Sequence, residues 1–169
     1  MILVDANILI YATNAESDQH AGSRDWLDRK LSGPAPVGLP WASLLAFLRI
    51  ATNPRAFRSP LTMLIAWRQV SNWLSSETVW TPQPTERHAE VLGNLLALPG
   101  VHGNLVPDTH LAALAIEHDL TLCSTDGDLT PAFRESERAK HRPRIRGLRV
   151  PDDDDHGFRR NVINRSSAS

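Results

Sequence analysis

The amino-acid sequence predicts an α/β fold, a three-layer α/β/α domain built around a central parallel sheet of four or five strands. The first observation is the unbroken apolar run Ile2-Leu3-Val4, which is typical of a strand buried on both faces of a parallel sheet. The second is that further short apolar runs alternate with longer segments of helical periodicity. The third is the length of 169 residues, which suffices for one domain with a substantial core.

The predicted elements alternate between strand and helix along the chain. A helix at 7–12 follows the first strand directly, and Trp26, Leu27 and Leu31 mark an amphipathic helix at 20–31. The remaining predicted elements are strands at 37–39, 79–81, 120–124 and 148–150, and helices at 41–52, 62–74, 85–96 and 108–118.

Two of the predicted helices have strongly apolar faces. Pro40 suits the first turn of the helix at 41–52, which is apolar almost all round and should therefore be buried. The helix at 62–74 is predicted to pack through Leu64, Ile65, Trp67, Val70, Trp73 and Leu74. We interpret Trp67 and Trp73 as packing residues rather than as platforms for stacking bases.

Composition and charge exclude several classes of protein. The net charge of -1 gives no global sign of nucleic-acid binding, so any basic surface must be local. Cys123 is the single cysteine, which excludes an intramolecular disulfide and a cysteine-built zinc site. The start of the chain lacks the pattern of a signal peptide, and no apolar run approaches the length of a membrane span. We therefore expect a cytoplasmic protein with no membrane association.

The C-terminal region differs in composition from the rest. Between Arg134 and Arg149 lie seven of the 18 Lys and Arg residues, and an acidic run at 152–155 follows. We predict a domain over residues 1–150 and a disordered tail over 151–169.

Acidic residues follow two of the predicted strands. Asp5 follows the first strand, Asp126 and Asp128 follow the strand at 120–124, and Asp108 stands at the start of the preceding helix. Ligands of open α/β sheets bind at the carboxyl ends of the strands, so we expect these carboxylates to gather there. Because clustered carboxylates repel one another, and because hard oxygen ligands suit Mg²⁺ or Mn²⁺, the pattern predicts a divalent metal site.

The chemistry most often done by such a cluster is phosphodiester hydrolysis, in which the metal activates water and stabilises charge on the phosphate. Each acid also has a structural interpretation. Asp5 and Asp108 each precede a predicted helix and could be N-caps, and Asp126-Gly127-Asp128 could be a turn. The four together favour the metal site, because a fold gains no stability from several acids at one edge.

Three motifs, in this order, resemble those of PIN-domain proteins. They are Asp5-Ala6-Asn7, Gly103-Asn104-Leu105-Val106-Pro107-Asp108 and Ser124-Thr125-Asp126-Gly127-Asp128. The segments Gly38-Leu39-Pro40-Trp41, Phe47-Leu48-Arg49 and Thr52-Asn53-Pro54-Arg55 are similar to one subgroup, the VapC toxins of VapBC toxin–antitoxin pairs. The resemblance covers about residues 1–133.

The resemblance implies a Mg²⁺- or Mn²⁺-dependent endoribonuclease that leaves a 5′-phosphate and a 3′-hydroxyl. It also implies a homodimer that a cognate antitoxin holds inactive. By the same resemblance Asp5, Asp108 and Asp126 bind the metal, and Asp128 is a fourth or outer member of the set.

Three polar residues would support these acids. Ser124 stands where the family commonly has a Thr whose hydroxyl supports the site. Asn7 and Asn104 could orient the acids through their amides, or could be turn residues. Arg49, Arg55 and Arg58 could contact RNA phosphates, or could form solvated ends and salt bridges.

One departure from the family bears on the metal count. Many PIN domains carry a Glu in the helix after the second strand, whereas 41–52 contains no acid. This leaves a single-metal site or a weakened enzyme as hypotheses beside a two-metal site. The rival functions are a catalytically silent PIN-like domain that binds RNA or protein, and another Mg²⁺-dependent phosphohydrolase.

Overall fold

The structure, a computed structural model, describes residues 1–125 and the strand at 148–149. Its strands are β1 (Ile2–Val4), β2 (Val37–Gly38), β3 (Val79–Trp80), β4 (Thr121–Cys123) and β5 (Leu148–Arg149). Its helices are α1 (Ala6–Thr13), α2 (His20–Leu31), α3 (Trp41–Ala51), α4 (Met63–Leu74), α5 (His88–Leu96) and α6 (Leu105–Glu117). The predicted alternation of strands and helices is confirmed.

The strands form one parallel sheet in the order β3-β2-β1-β4-β5. From β1 the chain adds β2 and then β3 on one side, and it returns to place β4 on the other side of β1. The order therefore reverses between β1 and β4. In open α/β sheets the crevice outside the carboxyl ends of the strands at such a reversal is the usual ligand site.

Successive residues of the central strand face different helical layers, as the two-residue period of a strand requires. Val4 packs in a cluster with residues of α1, α2, α3 and α4, whereas Leu3 packs with residues of α5 and α6. In β4, Cys123 belongs to the first cluster and Leu122 to the second. The predicted three-layer α/β/α architecture is therefore confirmed, and the apolar run of β1 is explained by burial on both faces.

The start of α6 differs from the prediction. The helix begins at Leu105, three residues before the predicted start at Asp108, with Asn104 at its N-cap position. Pro107 lies inside the first turn. A proline is tolerated there because the first N–H groups of a helix have no intrahelical partner.

The predicted inner face of α4 was partly wrong. Ala66, Val70 and Trp73 are the buried residues of this helix, at a spacing of four and three. Leu64 is 71% exposed, and Trp67 is exposed too, so Trp67 is not a core residue. The remaining exposed apolar side chains of α4 are Met63 and Ile65.

Several predictions lie outside the described residues. These are the positions of Asp126 and Asp128, the end of the fifth strand at Val150, and the tail at 151–169. The domain boundary at residue 150 therefore stays a prediction. Among the described residues, no helix combines the length and apolar character needed to cross a membrane.

Candidate metal centre

Asp5 is a buried carboxylate at the reversal point of the sheet. It follows β1 directly, its backbone N–H donates to the carbonyl of Cys123 at 3.0 Å, and the residue is 5% exposed. Asp5 occupies the N-cap position of α1, but its side chain makes no capping hydrogen bond. The N-cap interpretation of this carboxylate was therefore wrong. A buried charge needs specific partners, because burial in an apolar environment disfavours the charged form.

Ser124 supplies one such partner from the neighbouring strand. It follows β4, is 3% exposed, and its hydroxyl donates to Oδ2 of Asp5 at 2.6 Å. Hydrogen bonds to a carboxylate at this length are among the stronger ones in proteins. The ends of β1 and β4 are thereby joined through side chains as well as through the sheet.

Asp108 lies in the first turn of α6 and is half-buried. Because the helix begins at Leu105, Asp108 is not its N-cap, and the prediction of a cap at this position was wrong. A short connection leads from α6 to β4, so the helix runs back along the sheet, and its first turn lies toward the edge that carries Asp5. A carboxylate in a first helical turn is also stabilised by the helix dipole.

The two predicted supporting amides differ in their surroundings. Asn7 is half-buried in the first turn of α1, and Asn104 is an exposed residue at the N-cap position of α6 that makes no side-chain capping bond. Within residues 1–125, no three His, Cys, Asp or Glu side chains are grouped closely enough to hold a metal ion. The predicted set of three also includes Asp126, which lies outside the described residues.

The helix in which the resemblance expects a Glu contributes to the core instead. Phe47 of α3 is fully buried, and its ring packs edge-on against Trp73 with centroids 5.0 Å apart. Edge-to-face pairs of this kind stabilise a fold beyond the area they bury.

The three arginines predicted to contact RNA lie on the surface around the end of α3. Arg49 is in the last turn of α3, and Arg55 and Arg58 are in the loop that follows; all three are exposed. Since α3 begins at the carboxyl end of β2, Arg49 lies about 12 Å along the helix axis from its start. Arg49 therefore lies at the opposite end of α3 from the edge of the sheet that carries Asp5.

A hydrogen-bonded chain of side chains on the other helical layer was not predicted. The Nδ1–H of His88 donates to Oε1 of Glu117 at 2.6 Å, and Nε2 of His88 lies 3.0 Å from Nδ1 of His110. The backbone N–H of Thr85 donates to Oε2 of Glu117 at 2.8 Å. His110 and Glu117 are seven residues apart on α6, a spacing that places them on one face, but His88 belongs to α5 and no sequence pattern pairs it with them.

This hydrogen-bonded chain of side chains shifts the pKa values of Glu117 and His110. Burial raises the pKa of Glu117, but hydrogen bonds from Thr85 and His88 outweigh it and leave the pKa below the ordinary value. Burial and the neighbouring His88 lower the pKa of His110, and Glu117 opposes them only partly. The carboxylate of Glu117 is therefore held in its charged form, whereas the charged form of His110 is disfavoured.

Two grooves lie on the opposite helical layer. One, of about 280 Å³, lies between α1, α2 and α4; the other, of about 230 Å³, is lined by α1 and the segment around Phe57. Thr13 and Leu61 line both grooves, and neither groove includes Asp5 or Asp108. The grooves are therefore separate from the candidate metal centre.

Comparison with known proteins identifies the family. A model of the PIN domain matches residues 2–134. Ribonuclease VapC37 of Mycobacterium tuberculosis is 46% identical over 128 residues, which cover 76% of this chain and 89% of that protein. Ribonuclease VapC43 of the same organism is 36% identical over 126 residues, which cover 75% of this chain and 86% of that protein.

Solved structures agree in fold. VapC20 of Mycobacterium tuberculosis, described as a toxin that cleaves the sarcin-ricin loop, aligns with a TM-score of 0.59 and 18% identity over 78% of this chain and 95% of its own. VapBC2 of Rickettsia felis, solved with a DNA fragment from their promoter, aligns with a TM-score of 0.52 and 17% identity over 78% and 93%. On the evidence of the family model and of relatives well above 30% identity, the chain belongs to the PIN domain family.

Proposed function

We propose that this chain is a metal-dependent endoribonuclease that acts in the cytoplasm as the toxin of a toxin–antitoxin pair. The observation that carries the proposal is the buried carboxylate of Asp5, held by Ser124 at 2.6 Å where the strand order of the sheet reverses. The relatives named ribonucleases support the same activity.

The donor set fits a divalent cation. Asp5 and Asp108 offer hard carboxylate oxygens, and Asp126 follows β4 in sequence by three residues. Oxygen donors of this kind suit Mg²⁺ and Mn²⁺ rather than metals that prefer nitrogen or sulfur. We assign these three residues as the ligands, with Asp128 as an outer member. A bound divalent cation supplies Lewis acidity, which lowers the pKa of water and offsets charge on the attacked phosphate.

The side chains of this chain have separate tasks in the reaction. Asp5 has a fixed orientation because Ser124 donates to one of its oxygens, so the carboxylate needs little reorganisation when substrate binds. Arg49, Arg55 and Arg58 contact phosphates of the RNA away from the cleaved bond, which positions the strand without reading its sequence. In hydrolysis the oxygen of water bonds to phosphorus and the bond between phosphorus and O3′ breaks. The products are a 5′-phosphate, which keeps the oxygen of the water, and a 3′-hydroxyl, which takes up a proton from it.

The test is cleavage of structured RNA by the purified protein with Mg²⁺, with Mn²⁺ and with EDTA. Asp5→Asn keeps the shape of the side chain and removes its charge, and Asp25→Asn makes the same change at an exposed position of α2. We expect cleavage by the wild type and by Asp25→Asn, and at least a 100-fold loss in Asp5→Asn, in line with removal of a central active-site group. Cleavage that survives both EDTA and Asp5→Asn contradicts the proposal.

One observation favours a second candidate, a silent or weak PIN-like domain that binds RNA. Phe47 is fully buried against Trp73, so α3 contributes an aromatic contact where the resemblance expects an acid. The same assay distinguishes the two candidates. Retained RNA binding without cleavage at any metal concentration supports the silent domain, and hydrolysis of a small phosphate ester without RNA cleavage supports a different phosphohydrolase.

The proposed partner is a cognate antitoxin, and its proposed docking site is the α4 apolar surface formed by Met63, Leu64, Ile65 and Trp67. All four side chains are exposed, and Ile65 also lines the larger groove. Clustered exposed apolar side chains are typical of protein–protein interfaces. The structural neighbour VapBC2 of Rickettsia felis bears the name of a VapBC pair, which supports an antitoxin as the occupant.

The docking proposal is tested with Leu64→Glu, with Leu45→Glu as the control at an exposed leucine of α3. We expect Leu64→Glu to abolish co-purification with an antitoxin encoded beside the gene, and Leu45→Glu to retain it. Mass measurement of the free protein tests the proposed homodimer in the same samples. If Leu64→Glu breaks the homodimer and keeps the antitoxin, the α4 apolar surface binds a second copy instead.

A further inference from the structure

The chain of hydrogen bonds Glu117–His88–His110 joins the two helices of one layer. His88 is the first residue of α5, while His110 and Glu117 lie in the second and last turns of α6. The two residues of α6 are about 10 Å apart along the helix axis. One imidazole of α5 therefore contacts α6 both near its middle and at its C-terminal end.

Two members of this hydrogen-bonded chain are shielded from solvent, and His110 is half-buried. The side chain of Glu117 is 1% exposed and that of His88 is 15% exposed. The rings of His88 and His110 meet edge-on at 79°, with centroids 4.9 Å apart. Because hydrogen bonds gain strength where the dielectric constant is low, and because losing one partner leaves a buried group unsatisfied, a chain of this kind restrains its members strongly.

The carboxylate of Glu117 determines which ring nitrogen of His88 carries a hydrogen. A carboxylate only accepts, so Nδ1 of His88 carries the donated hydrogen. A neutral His88 then accepts at Nε2 from the Nδ1–H of His110, and a protonated His88 donates at Nε2 to Nδ1 of His110. Both states keep the same rings in the same orientation.

His110 stands two residues after Asp108 on α6. Two residues correspond to about 200° around a helix, so the two side chains point in nearly opposite directions. The hydrogen-bonded chain Glu117–His88–His110 therefore does not touch the candidate metal centre. It acts through the backbone, because a rotation of α6 about its axis that breaks the bond to His110 also moves the carboxylate of Asp108.

We propose that His88 is a positioning residue for the candidate metal centre, holding the rotation of α6, and with it Asp108, through its bonds to Glu117 and His110. The inference rests on the proposed metal-dependent function. It assigns a role to a residue on α5, which contributes no group to the centre itself. The expected consequence is on metal binding, more than on the stability of the fold.

Two variants of His88 each keep one of its two hydrogen bonds and remove the other. In His88→Asn the amide can take the place of Nδ1 and still donate to Glu117, but it is too short to reach His110. In His88→Gln the longer side chain can take the place of Nε2 and keep the contact with His110. His118→Asn is the matched control, because it removes a histidine hydrogen bond at the end of α6, from Nε2 to the carbonyl of Gln83 at 2.8 Å, outside the chain.

The measurement is the Mn²⁺ affinity of each variant by water-proton relaxation, together with the Mn²⁺ concentration that half-activates RNA cleavage. We expect His88→Asn to weaken both about tenfold, because α6 and with it Asp108 lose their restraint, and His88→Gln to restore them to within about threefold of wild type. The imidazole NMR signals of His110 should change in His88→Asn and be retained in His88→Gln. His118→Asn should lower thermal stability alone.

Two results overturn the inference, and they differ from each other. If the wild type binds Mn²⁺ and cleaves RNA while His88→Asn has an unchanged Mn²⁺ requirement and only a lower melting temperature, the chain is structural and the proposed function stands. If the wild type neither binds Mn²⁺ nor cleaves RNA, the proposed function fails, and this inference fails with it.

Discussion

Replacing Ser124 with Ala removes the hydrogen bond that holds Asp5. The bond is 2.6 Å long, joins a hydroxyl to a carboxylate, and lies between residues that are 3% and 5% exposed. A hydrogen bond to a charged group contributes about 1.5–3 kcal/mol to stability. At about 2–4 °C per kcal/mol for a protein of this size, Ser124→Ala should lower the melting temperature by about 3–12 °C.

The same substitution should weaken metal binding and RNA cleavage by about 10- to 100-fold, because Ser124 orients a proposed ligand. The control is Ser124→Thr, which keeps the hydroxyl and matches the residue common in the family. The assays are thermal and urea unfolding, Mn²⁺ binding and RNA cleavage on all three proteins. If Ser124→Ala and Ser124→Thr both lie within about 0.5 kcal/mol of wild type in stability and within threefold in metal binding and cleavage, the bond does not hold Asp5.

Three further predictions concern the fold around the centre. Phe47→Ala should cost about 3–5 kcal/mol in urea unfolding, because it removes a fully buried ring that packs against Trp73, and a cost below 1 kcal/mol contradicts the packing. Gly38→Ala should cost about 1–3 kcal/mol, because the new Cβ would lie 3.2 Å from the carbonyl oxygen of Ile2 in the neighbouring strand; an unchanged urea midpoint contradicts this. The pKa of Glu117 is lower in the folded state than its ordinary value of 4.5. The carboxylate therefore stabilises the fold at pH values above 4.5, and this stabilisation is lost as the pH falls through the lowered pKa. Measuring the free energy of unfolding at decreasing pH should show the loss in wild type but not in Glu117→Gln.

The fold could be predicted well from the sequence, because its main determinants are local. The run Ile2-Leu3-Val4 predicts a strand buried on both faces, and the structure places Leu3 and Val4 in different layers. The start of α6 was wrong because Pro107 was taken to precede the helix, although proline fits its first turn. The face of α4 was partly wrong because Leu64 and Ile65 were counted with Val70 and Trp73, although at helical spacing they lie outside the stripe that these two form with Ala66.

The candidate site could be predicted only in part. Asp5 was found because it follows a strand, and strand ends meet at one edge of a parallel sheet. Ser124 was found through the resemblance to PIN domains, and the structure shows its hydroxyl bonded to Asp5. The bond between His88 and His110 depends on how α5 packs against α6, which no spacing in the sequence encodes. The position of Asp126 relative to Asp5 lies outside the described residues and stays a prediction.

The central claim of the proposed function is that Asp5, Asp108 and Asp126 together bind the catalytic divalent cation. The most direct measurement is the Mn²⁺ affinity of the wild type and of Asp5→Asn, Asp108→Asn and Asp126→Asn, with Asp25→Asn as the exposed control. We predict that each of the three substitutions weakens Mn²⁺ binding at least tenfold and abolishes RNA cleavage in parallel, while Asp25→Asn changes neither. Mn²⁺ binding by Asp5→Asn with wild-type affinity would contradict the account.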